Sequence, residues 1–297
     1  MSSFPSRRRV LATGAGAAIG IGALGAHSAQ AAPASRTTGS EETRTLDELY
    51  RAALAEGGKL VLYAGGDTPT QQDFTKAAFL KRFPDIDLTL VVDYSKYHDV
   101  RIDNQLATGT LVPDVVQLQT LQDFTRWKEQ GRLLRYKPAG FSKVYDKFKD
   151  PHGAWVAIGA IGFSFMYDTA AAGSGAPLAS GPVKWVVPTG APFMAWGQRA
   201  AILKQAANPT AAKLYLNWQL SLATQQGSFN GWSVRTDVTP PAGLKPVWEY
   251  PDAHLDGFPR FMADRAEVER WKQTFALYFG EVKGDPTPGW LGLHPGA

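Results

Sequence analysis

Residues 59–68, Lys-Leu-Val-Leu-Tyr-Ala-Gly-Gly-Asp-Thr, decide the fold that we expect of this chain. The run from Leu60 to Tyr63 is apolar at every position, which is typical of a parallel strand that is covered on both faces. The two glycines after it allow the backbone to turn tightly and to approach a ligand closely. This stretch therefore predicts a central strand that ends in a loop.

The residues after this strand predict the start of a helix. Thr68 is placed to cap it, Pro69 fits its first position and Gln71 completes a capping box. We therefore expect a helix over residues 69–82. Because a strand end followed by a helix N-terminus presents free N–H groups and a positive dipole, the corner between them is a candidate ligand cradle.

Short apolar strands alternate with helices through the first half of the chain. After an opening helix with a capping box at Thr45, the expected elements are strands at 86–92 and 112–119 and helices at 98–108 and 120–130. This order indicates an α/β fold with a parallel sheet and right-handed crossovers. Ligands of such sheets collect at the carboxyl ends of the strands. Three loops should therefore converge on one edge, at 63–68, 93–98 and 117–120.

The second half of the chain has a different character. An apolar β-like run at 155–167 precedes Ala-, Gly- and Ser-rich sequence at 169–181, which is typical of a linker. Further elements are expected as strands at 183–187 and 193–203, a helix at 208–223 opened by Asn208 and Pro209, an extended segment at 233–238 and an amphipathic helix at 264–280.

Residues 1–31 have the composition of an export signal. Arg7-Arg8-Arg9 precedes a weakly apolar Ala/Gly-rich run, and Ala29-Gln30-Ala31 is a small-residue cleavage site. The paired arginines and the mild hydrophobicity indicate a Tat-type leader that is cleaved near Ala31. The run is shorter and less apolar than a spanning helix requires. Residues 32–44 then form a flexible spacer, and a periplasmic or secreted location is expected.

Charge and cysteine content exclude several classes of protein. The 31 basic residues include three in the leader, against 27 acidic residues, so the sequence pI of about 9.1 reflects the leader and the mature chain is nearly neutral. We therefore expect no nucleic-acid partner. The absence of cysteine excludes disulfides, thiolate chemistry and a lipid-modified N-terminal cysteine.

Four stretches together resemble the solute-binding proteins of ABC importers. They are 63–67, Pro113-Asp114-Val115-Val116, 187–192 with the Asn208-Pro209 helix, and Val234-Arg235 with Asp237-Val238. The resemblance is to the type II periplasmic fold and its ferric-ion-binding-like branch. It implies a two-lobed clamp that closes by hinge bending around a small solute, works with a membrane permease and is a monomer.

The chain departs from the ferric-binding pattern. That pattern has a His in the first loop, a Glu near the third strand and paired tyrosines in the second lobe. Here Asp67 stands at the place of the His, and Gln117 and Gln119 stand near the place of the Glu. No adjacent tyrosines occur in the chain. The second lobe is also short. We therefore divide the chain into leader 1–31, spacer 32–44, first lobe 45–160, shortened second lobe 161–256 and C-terminal helix with tail 257–297.

Polar residues at the expected strand ends are the candidate ligand-binding groups. From the first lobe these are Tyr63, Gly65, Gly66, Asp67, Thr68, Tyr94, Tyr97, His98, Gln117, Gln119 and Thr120, and from the second Trp196, Trp232 and Arg235. The oxygen and nitrogen atoms of Asp67, Tyr97 and His98 could hold ferric ion or another metal as the transported ligand, and no resident cofactor is expected.

Each candidate also has a structural explanation. Asp67 could support a helix N-terminus through its charge, His98 could cap a helix, and Arg235 could pair with a surface carboxylate. Trp196 and Trp232 could be core residues. No hydrolase elbow and no zinc-ligand spacing occurs, so an enzyme is not expected. The alternatives to a solute-binding protein are an exported interaction protein whose clamp no longer closes, and a hydrolase or metalloenzyme that would use Ser164 or His98.

Overall fold

The computed structural model describes residues 39–162, 190–227, 232–240 and 243–281. The expected leader, most of the spacer, the linker at 169–181 and the strand at 183–187 lie outside these ranges. Within them the helices and strands are α1 Leu46–Glu56, β1 Lys59–Gly65, α2 Asp73–Arg82, β2 Asp87–Asp93, α3 Ser95–Thr108, β3 Val115–Leu118, α4 Leu121–Glu129, β4 Val156–Gly162, β5 Ala195–Ile202, α5 Pro209–Leu220, α6 Leu222–Gly227, α7 Gly257–Ala263 and α8 Arg265–Phe279. None of the described helices has the length and hydrophobicity to cross a membrane.

The five strands form one mixed sheet in the order β2-β1-β3-β5-β4. β1 pairs in parallel with β2 and β3, which confirms the predicted α/β fold with a parallel sheet in the first half of the chain. β5 runs antiparallel to both β3 and β4. The carboxyl ends of β1, β2 and β3 therefore lie at the same edge, as the loop positions predicted.

The position of β5 differs from the expected division into lobes. We assigned residues 161–256 to a second lobe, but Ala195–Ile202 lies between β3 and β4 in the same sheet as β1. Its residues are buried at nearly every position, as an interior strand requires. Sequence order gave no sign of this return, because a strand that rejoins an earlier sheet has the same local pattern as one that begins a new sheet. The division into two lobes stays a prediction.

Helices cover both faces of the sheet. Leu60, Leu62 and Ala64 of β1 pack with α1, α2 and α5 on one face, where Phe79 and Tyr215 are also buried. On the other face the alternate residues of β1 pack with α3 and α4, in a cluster that contains Tyr63, Ile102, Val116, Leu118, Phe124 and Trp127. Burial on both faces explains the continuous apolar run from Leu60 to Tyr63.

The helix starts agree with the sequence in part. Thr45 and Glu48 form the predicted capping box of α1, and Gly109 ends α3 in the left-handed conformation with φ 69°. The helix that we expected over 69–82 begins only at Asp73, so the predicted cap at Thr68 is wrong. Residues 68–72 form turns instead, in which the amide of Gln71 donates to the carbonyl of Thr68 at 3.2 Å.

A buried carboxylate joins the strands to α5. Asp114 is fully buried, and its Oδ2 accepts from the backbone amide of Val61 at 2.9 Å. The same carboxylate accepts from the backbone amide of Asn208 at 2.8 Å and from its side-chain amide at 3.0 Å. Asn208 stands at the predicted helix start, but its side chain binds Asp114 and makes no capping hydrogen bond. Asp114 thus ties the amino ends of β1 and β3 to the start of α5, at the sheet edge opposite the loops that follow these strands.

Candidate functional site

A cavity of about 300 Å³ lies at the carboxyl ends of β1 and β3, beside β4. This size is at the lower end of the range for small-molecule sites. Its described lining consists of Gly65, Gln71, Gln72, Phe74, Thr75, Gln117, Gln119, Ile158, Gly159, Ala160, Ile161, Gly162, Gln198 and Gln219. Glutamine side chains supply most of the polar groups of this surface, which we call the amide cavity.

A buried tyrosine orients two amides of the cavity. The hydroxyl of Tyr215 donates to Oε1 of Gln117 at 2.9 Å and accepts from Nε2 of Gln219 at 2.6 Å. Burial raises the pKa of the Tyr215 phenol above its usual range, so the hydroxyl keeps its proton. Because both amides are held through one atom each, Nε2 of Gln117 and Oε1 of Gln219 remain available on the cavity side.

The loop before α2 supplies the opposite wall. The backbone amide of Asp67 donates to the side-chain oxygen of Gln71. Nε2 of Gln72 lies 3.4 Å from the carbonyl oxygen of Gly65, and its Oε1 accepts from the hydroxyl of Thr75 at 3.1 Å. These bonds hold the two adjacent glutamines against the end of β1. The ring of Phe74 follows at the cavity mouth and is 60% exposed.

The two glycines of the opening loop are required by packing. A Cβ atom at Gly65 would overlap Oγ of Ser95, and one at Gly66 would lie 2.5 Å from a methyl carbon of Val92. Oγ of Ser95 in turn accepts from the backbone amide of Gln119 at 2.9 Å. The absence of a side chain at Gly65 therefore allows the loops after β1, β2 and β3 to approach one another.

The described lining of the amide cavity contains no Lys, Arg, His, Asp or Glu. Among the residues that the structure describes, no group of three or more His, Cys, Asp or Glu side chains is placed to hold a metal ion. The lining accordingly offers neutral hydrogen-bond donors and acceptors. It does not supply the carboxylate, phenolate or imidazole set that a ferric ion prefers.

His98 lies in the interior of the protein, away from this cavity. It is fully buried and stacks on Tyr63 with ring centroids 4.7 Å apart. Its Nδ1 accepts from Arg101 at 2.7 Å, which leaves Nε2 to donate to the carbonyl oxygen of Ala64 at 3.1 Å. Burial and then the charge of Arg101 lower the pKa of His98 to about 3. His98 lies within α3 with both ring nitrogens hydrogen-bonded, so it does not cap that helix, and its role as a metal ligand stays a prediction.

Tyr63 is likewise a core residue. It is 2% exposed and its hydroxyl accepts from Nε2 of Gln105 at 3.2 Å. Desolvation raises its pKa. A buried ion pair between Arg101 and Asp93, 2.9 Å long, closes this side of the sheet and holds the guanidinium against His98. The alternation of side chains along β1 thus points Tyr63 to the face opposite the amide cavity.

The other first-lobe candidates occupy different places. Gly65, Gln117 and Gln119 line the amide cavity, as predicted for the ends of β1 and β3. Tyr94 and Tyr97 pack edge to face with centroids 5.6 Å apart, and Nζ of Lys96 lies 5.1 Å from the Tyr97 ring. The remaining candidates of this lobe are outside the lining: Gly66 is half-buried, Asp67 and Thr68 are exposed, and Thr120 is buried at the start of α4.

The three candidates from the second half of the chain pack within the protein. Trp196 is 3% exposed and lies on Phe258, with centroids 4.6 Å apart. Trp232 is also 3% exposed, and its indole donates to the carbonyl of Lys245 at 2.8 Å. Both are core residues, which is the second of the two roles that we considered for them from the sequence.

Arg235 pairs with a carboxylate. Its guanidinium makes two hydrogen bonds to Asp237, of 2.8 and 2.7 Å, and a third to the carbonyl of Leu220 at 2.8 Å. These contacts lower the pKa of Asp237. Among the alternatives considered from sequence, pairing with a carboxylate is therefore the observed one. Ser164, the nucleophile of the hydrolase alternative, lies outside the described residues.

Sequence reasoning missed most of the described lining of the amide cavity, including four of its six glutamines. Gln198 and Gln219 come from β5 and α5, far along the chain from β1. Gln71 was considered only for the helix start, and Gln72 was not singled out. One signal was present: Gln219 stands four residues after Tyr215 on a helix whose neighbours are apolar. A buried amide on such a helix face requires a partner, which here is the Tyr215 hydroxyl.

A second cavity, of about 530 Å³, lies between α4, α7 and β5. Its carboxylates Asp99 and Asp123 share the guanidinium of Arg126, which lies 3.1 and 2.9 Å from them. Burial, followed by the charges of Asp123 and Asp103, raises the pKa of Asp99 to about 7. This group of opposite charges lies at the first turns of α3 and α4, the helices that follow β2 and β3 and cover the sheet face on which Tyr63 is buried.

The fold that these residues form is that of the type II periplasmic binding proteins. Iron-bound HitA from Pseudomonas aeruginosa is similar at 13% identity with TM-score 0.53, over 73% of this chain and 98% of that one. AfuA from Actinobacillus pleuropneumoniae, a periplasmic binding protein with exogenous fructose-6-phosphate bound, has the same identity and TM-score, over 73% and 97%.

An ABC transporter substrate-binding protein from Bradyrhizobium japonicum is similar as well. It has 14% identity and TM-score 0.51, over 72% of this chain and 98% of that chain. No protein-family model and no curated protein sequence matches the chain. At these identities the likeness establishes the fold, and it confirms the periplasmic-binding-protein fold predicted from the sequence.

Proposed function

We propose that this chain is an exported solute-binding protein that captures a small ligand and presents it to the permease of an ABC-type importer. The observation that carries the proposal is the amide cavity at the carboxyl ends of β1 and β3. In open α/β sheets this edge is where ligands bind. The fold and the leader-like sequence at residues 1–31 support the same function. We propose binding and transport, and no catalysis.

The described site favours an organic solute over ferric ion. HitA is described as iron-bound and AfuA with fructose-6-phosphate, so proteins of this fold accept both kinds of ligand. Here the lining supplies amides and a hydroxyl, and its described part lacks the anionic oxygen ligands that ferric ion prefers. A polar organic molecule is therefore the better match.

The proposal is tested by melting the exported chain with metal ions, phosphonates, polyamines, sugars and sugar phosphates. A ligand that binds only the folded state raises the melting temperature by mass action. A reproducible rise with members of one class supports the proposal, and no rise with any class contradicts it. Export itself is tested by changing Arg7 and Arg8 together to Lys. These two substitutions should keep the chain in the cytoplasm if the leader is of the Tat type.

A second candidate is an exported interaction protein whose clamp does not close. It is favoured by α8, which has no buried residue and exposes Trp271, Phe275 and Phe279 by 43%, 53% and 83%. Exposed apolar groups in a contiguous patch mark interaction surfaces. This candidate predicts no melting-temperature shift with any small solute, so the same screen separates the two functions.

A further inference from the structure

We infer that the amide cavity takes an uncharged, hydroxyl-rich solute of monosaccharide size. The inference rests on the proposed function, since it assigns a ligand class to the cavity through which the chain would act. It is carried by three features of the described lining: hydrogen-bonding atoms of both kinds that the protein leaves available, an apolar patch beside them, and the absence of charge.

The available hydrogen-bonding atoms come from buried, fixed amides. Gln117 and Gln219 are 6% and 2% exposed, and Tyr215 engages the oxygen of the first and the nitrogen of the second. Within the described chain, Nε2 of Gln117 and Oε1 of Gln219 have no protein partner. The cavity therefore presents one fixed donor and one fixed acceptor. A hydroxyl group, which both donates and accepts, satisfies such a pair.

Gln198 adds a third polar group. It is 8% exposed, lines the same cavity, and its Oε1 has no hydrogen-bond partner in the described part of the chain. A buried amide oxygen without a hydrogen bond lowers the stability of the folded protein. A ligand hydroxyl that donates to this oxygen would remove that cost. Because Gln198 lies on β5 and Gln117 on the adjacent β3, the unsatisfied groups come from neighbouring strands of one rigid sheet.

An apolar patch lies beside these amides. Ile158 and Ile161 of β4 line the cavity, and the ring of Phe74 stands at its mouth with 60% of its surface exposed. The C–H face of a sugar ring is apolar while its edge carries hydroxyls. An aromatic ring in the same lining as a set of amides matches both parts of such a molecule.

The charge of the site argues against phosphate esters and metal ions. No basic side chain is present in the described lining, and Arg or Lys is the usual partner of a phosphate. The N-terminus of α2 borders the cavity and would favour an anion, but Asp73 stands in its first turn and opposes this field. The neutral lining therefore selects for the uncharged sugar over its phosphorylated form.

The test is calorimetric titration of the full exported chain with D-glucose, D-galactose, myo-inositol, glucose 6-phosphate and ferric citrate. We expect at least one of the three neutral compounds to bind at least tenfold more tightly than glucose 6-phosphate and ferric citrate. Tighter binding of the phosphate ester or of iron would overturn this inference and leave the proposed solute-binding function intact. No binding of any of the five, in a chain whose melting temperature no other solute raises, would overturn both.

Two exposed lining residues allow the site to be tested without unfolding the protein. Gln119→Ala and Phe74→Ala should each weaken binding of the neutral compound five- to tenfold, the equivalent of one lost contact. Their matched controls outside the cavity, Gln130→Ala and Phe275→Ala, should leave affinity unchanged. Gln119→Lys should move preference toward glucose 6-phosphate. Equal affinity in the cavity variants and their controls would place the neutral compound elsewhere and contradict the inference.

Discussion

The hydroxyl of Tyr215 lies 2.9 Å from Oε1 of Gln117, and this contact joins α5 to the end of β3 at the base of the amide cavity. The same hydroxyl accepts from Gln219 at 2.6 Å. One buried phenol thus decides which atom of each amide is left for the amide cavity. A side chain outside the described lining thereby sets the hydrogen-bonding pattern of that cavity.

Tyr215→Phe should therefore lower both stability and affinity. Removal of the hydroxyl leaves two buried amide atoms without a partner, which costs about 1–3 kcal/mol in the free energy of unfolding. Urea unfolding measures this loss, and titration with the best ligand should show weaker binding. Tyr278→Phe is the matched control, since Tyr278 is 76% exposed and its change should stay within about 0.5 kcal/mol. Equal stability of the two variants would show that the contact is not formed.

His98 should make the folded state sensitive to acid. Its folded pKa of about 3 lies below its ordinary value of 6.5, so between these pH values the unfolded state binds more protons. The histidine then lowers the stability as pH falls, by up to about 1.4 kcal/mol per pH unit. His98→Gln should remove this contribution, which appears as a change in the slope of unfolding free energy between pH 6 and 4. His254→Gln, at an exposed site, should leave the slope unaltered.

Asp99 should have the opposite effect. Its pKa is raised to about 7, so from pH 7 down to about 4 the folded state binds more protons and is stabilised. That contribution is lost as pH rises through 7. Asp99→Asn should therefore be more stable than the unmodified chain at pH 8, by ~1 kcal/mol or more, with a smaller advantage at pH 5. Asp146→Asn, at a 94% exposed side chain, is the control. An Asn variant that is less stable at pH 8 would contradict the burial of this charge.

The effects of His98 and Asp99 oppose each other between about pH 4 and pH 6.5, where their titration ranges overlap. The unmodified chain can therefore show a shallow pH dependence although both groups titrate far from their ordinary values. For this reason the effect of each residue is measured as the difference in unfolding free energy between its variant and the unmodified chain at each pH.

Gly65→Ala should disturb the cavity through Ser95. The added methyl group would overlap the serine hydroxyl that holds the backbone amide of Gln119. Overpacking of this kind costs about 1–3 kcal/mol. The unfolding midpoint should fall and ligand affinity should fall with it. Gly227→Ala is the control, because a Cβ there meets nothing within 4 Å. Equal midpoints for the two variants would mean that the loop moves freely to accommodate the methyl group.

Local pattern was sufficient for the elements around β1. Its apolar run and the Thr45 capping box each have a physical cause within a few residues, and both were predicted. Gln117 and Gln119 followed from the rule that parallel strand ends meet at one edge. The return of β5 into the same sheet was not accessible, because its pairing depends on residues far along the chain.

Burial of polar residues was the other limit. The sequence places His98 in a loop rich in ligand-forming groups, but its role depends on Arg101 and Asp93, whose ion pair forms inside the folded protein. Gln198 and Gln219 likewise reach the cavity only through the arrangement of β5 and α5. Spacing along the chain does not reveal contacts of this kind. The lining residues at the ends of β1 and β3 could therefore be predicted, whereas those from β5 and α5 could not.

The most direct test of the proposed solute site at the carboxyl ends of β1 and β3 is hydrogen–deuterium exchange of the purified protein, with and without a solute that raises its melting temperature. We expect slower exchange in peptides that cover 65–75, 117–119 and 158–162, with little change in α8. Protection confined to the cavity around Asp99 and Arg126, or no protection at the strand ends, would contradict the account.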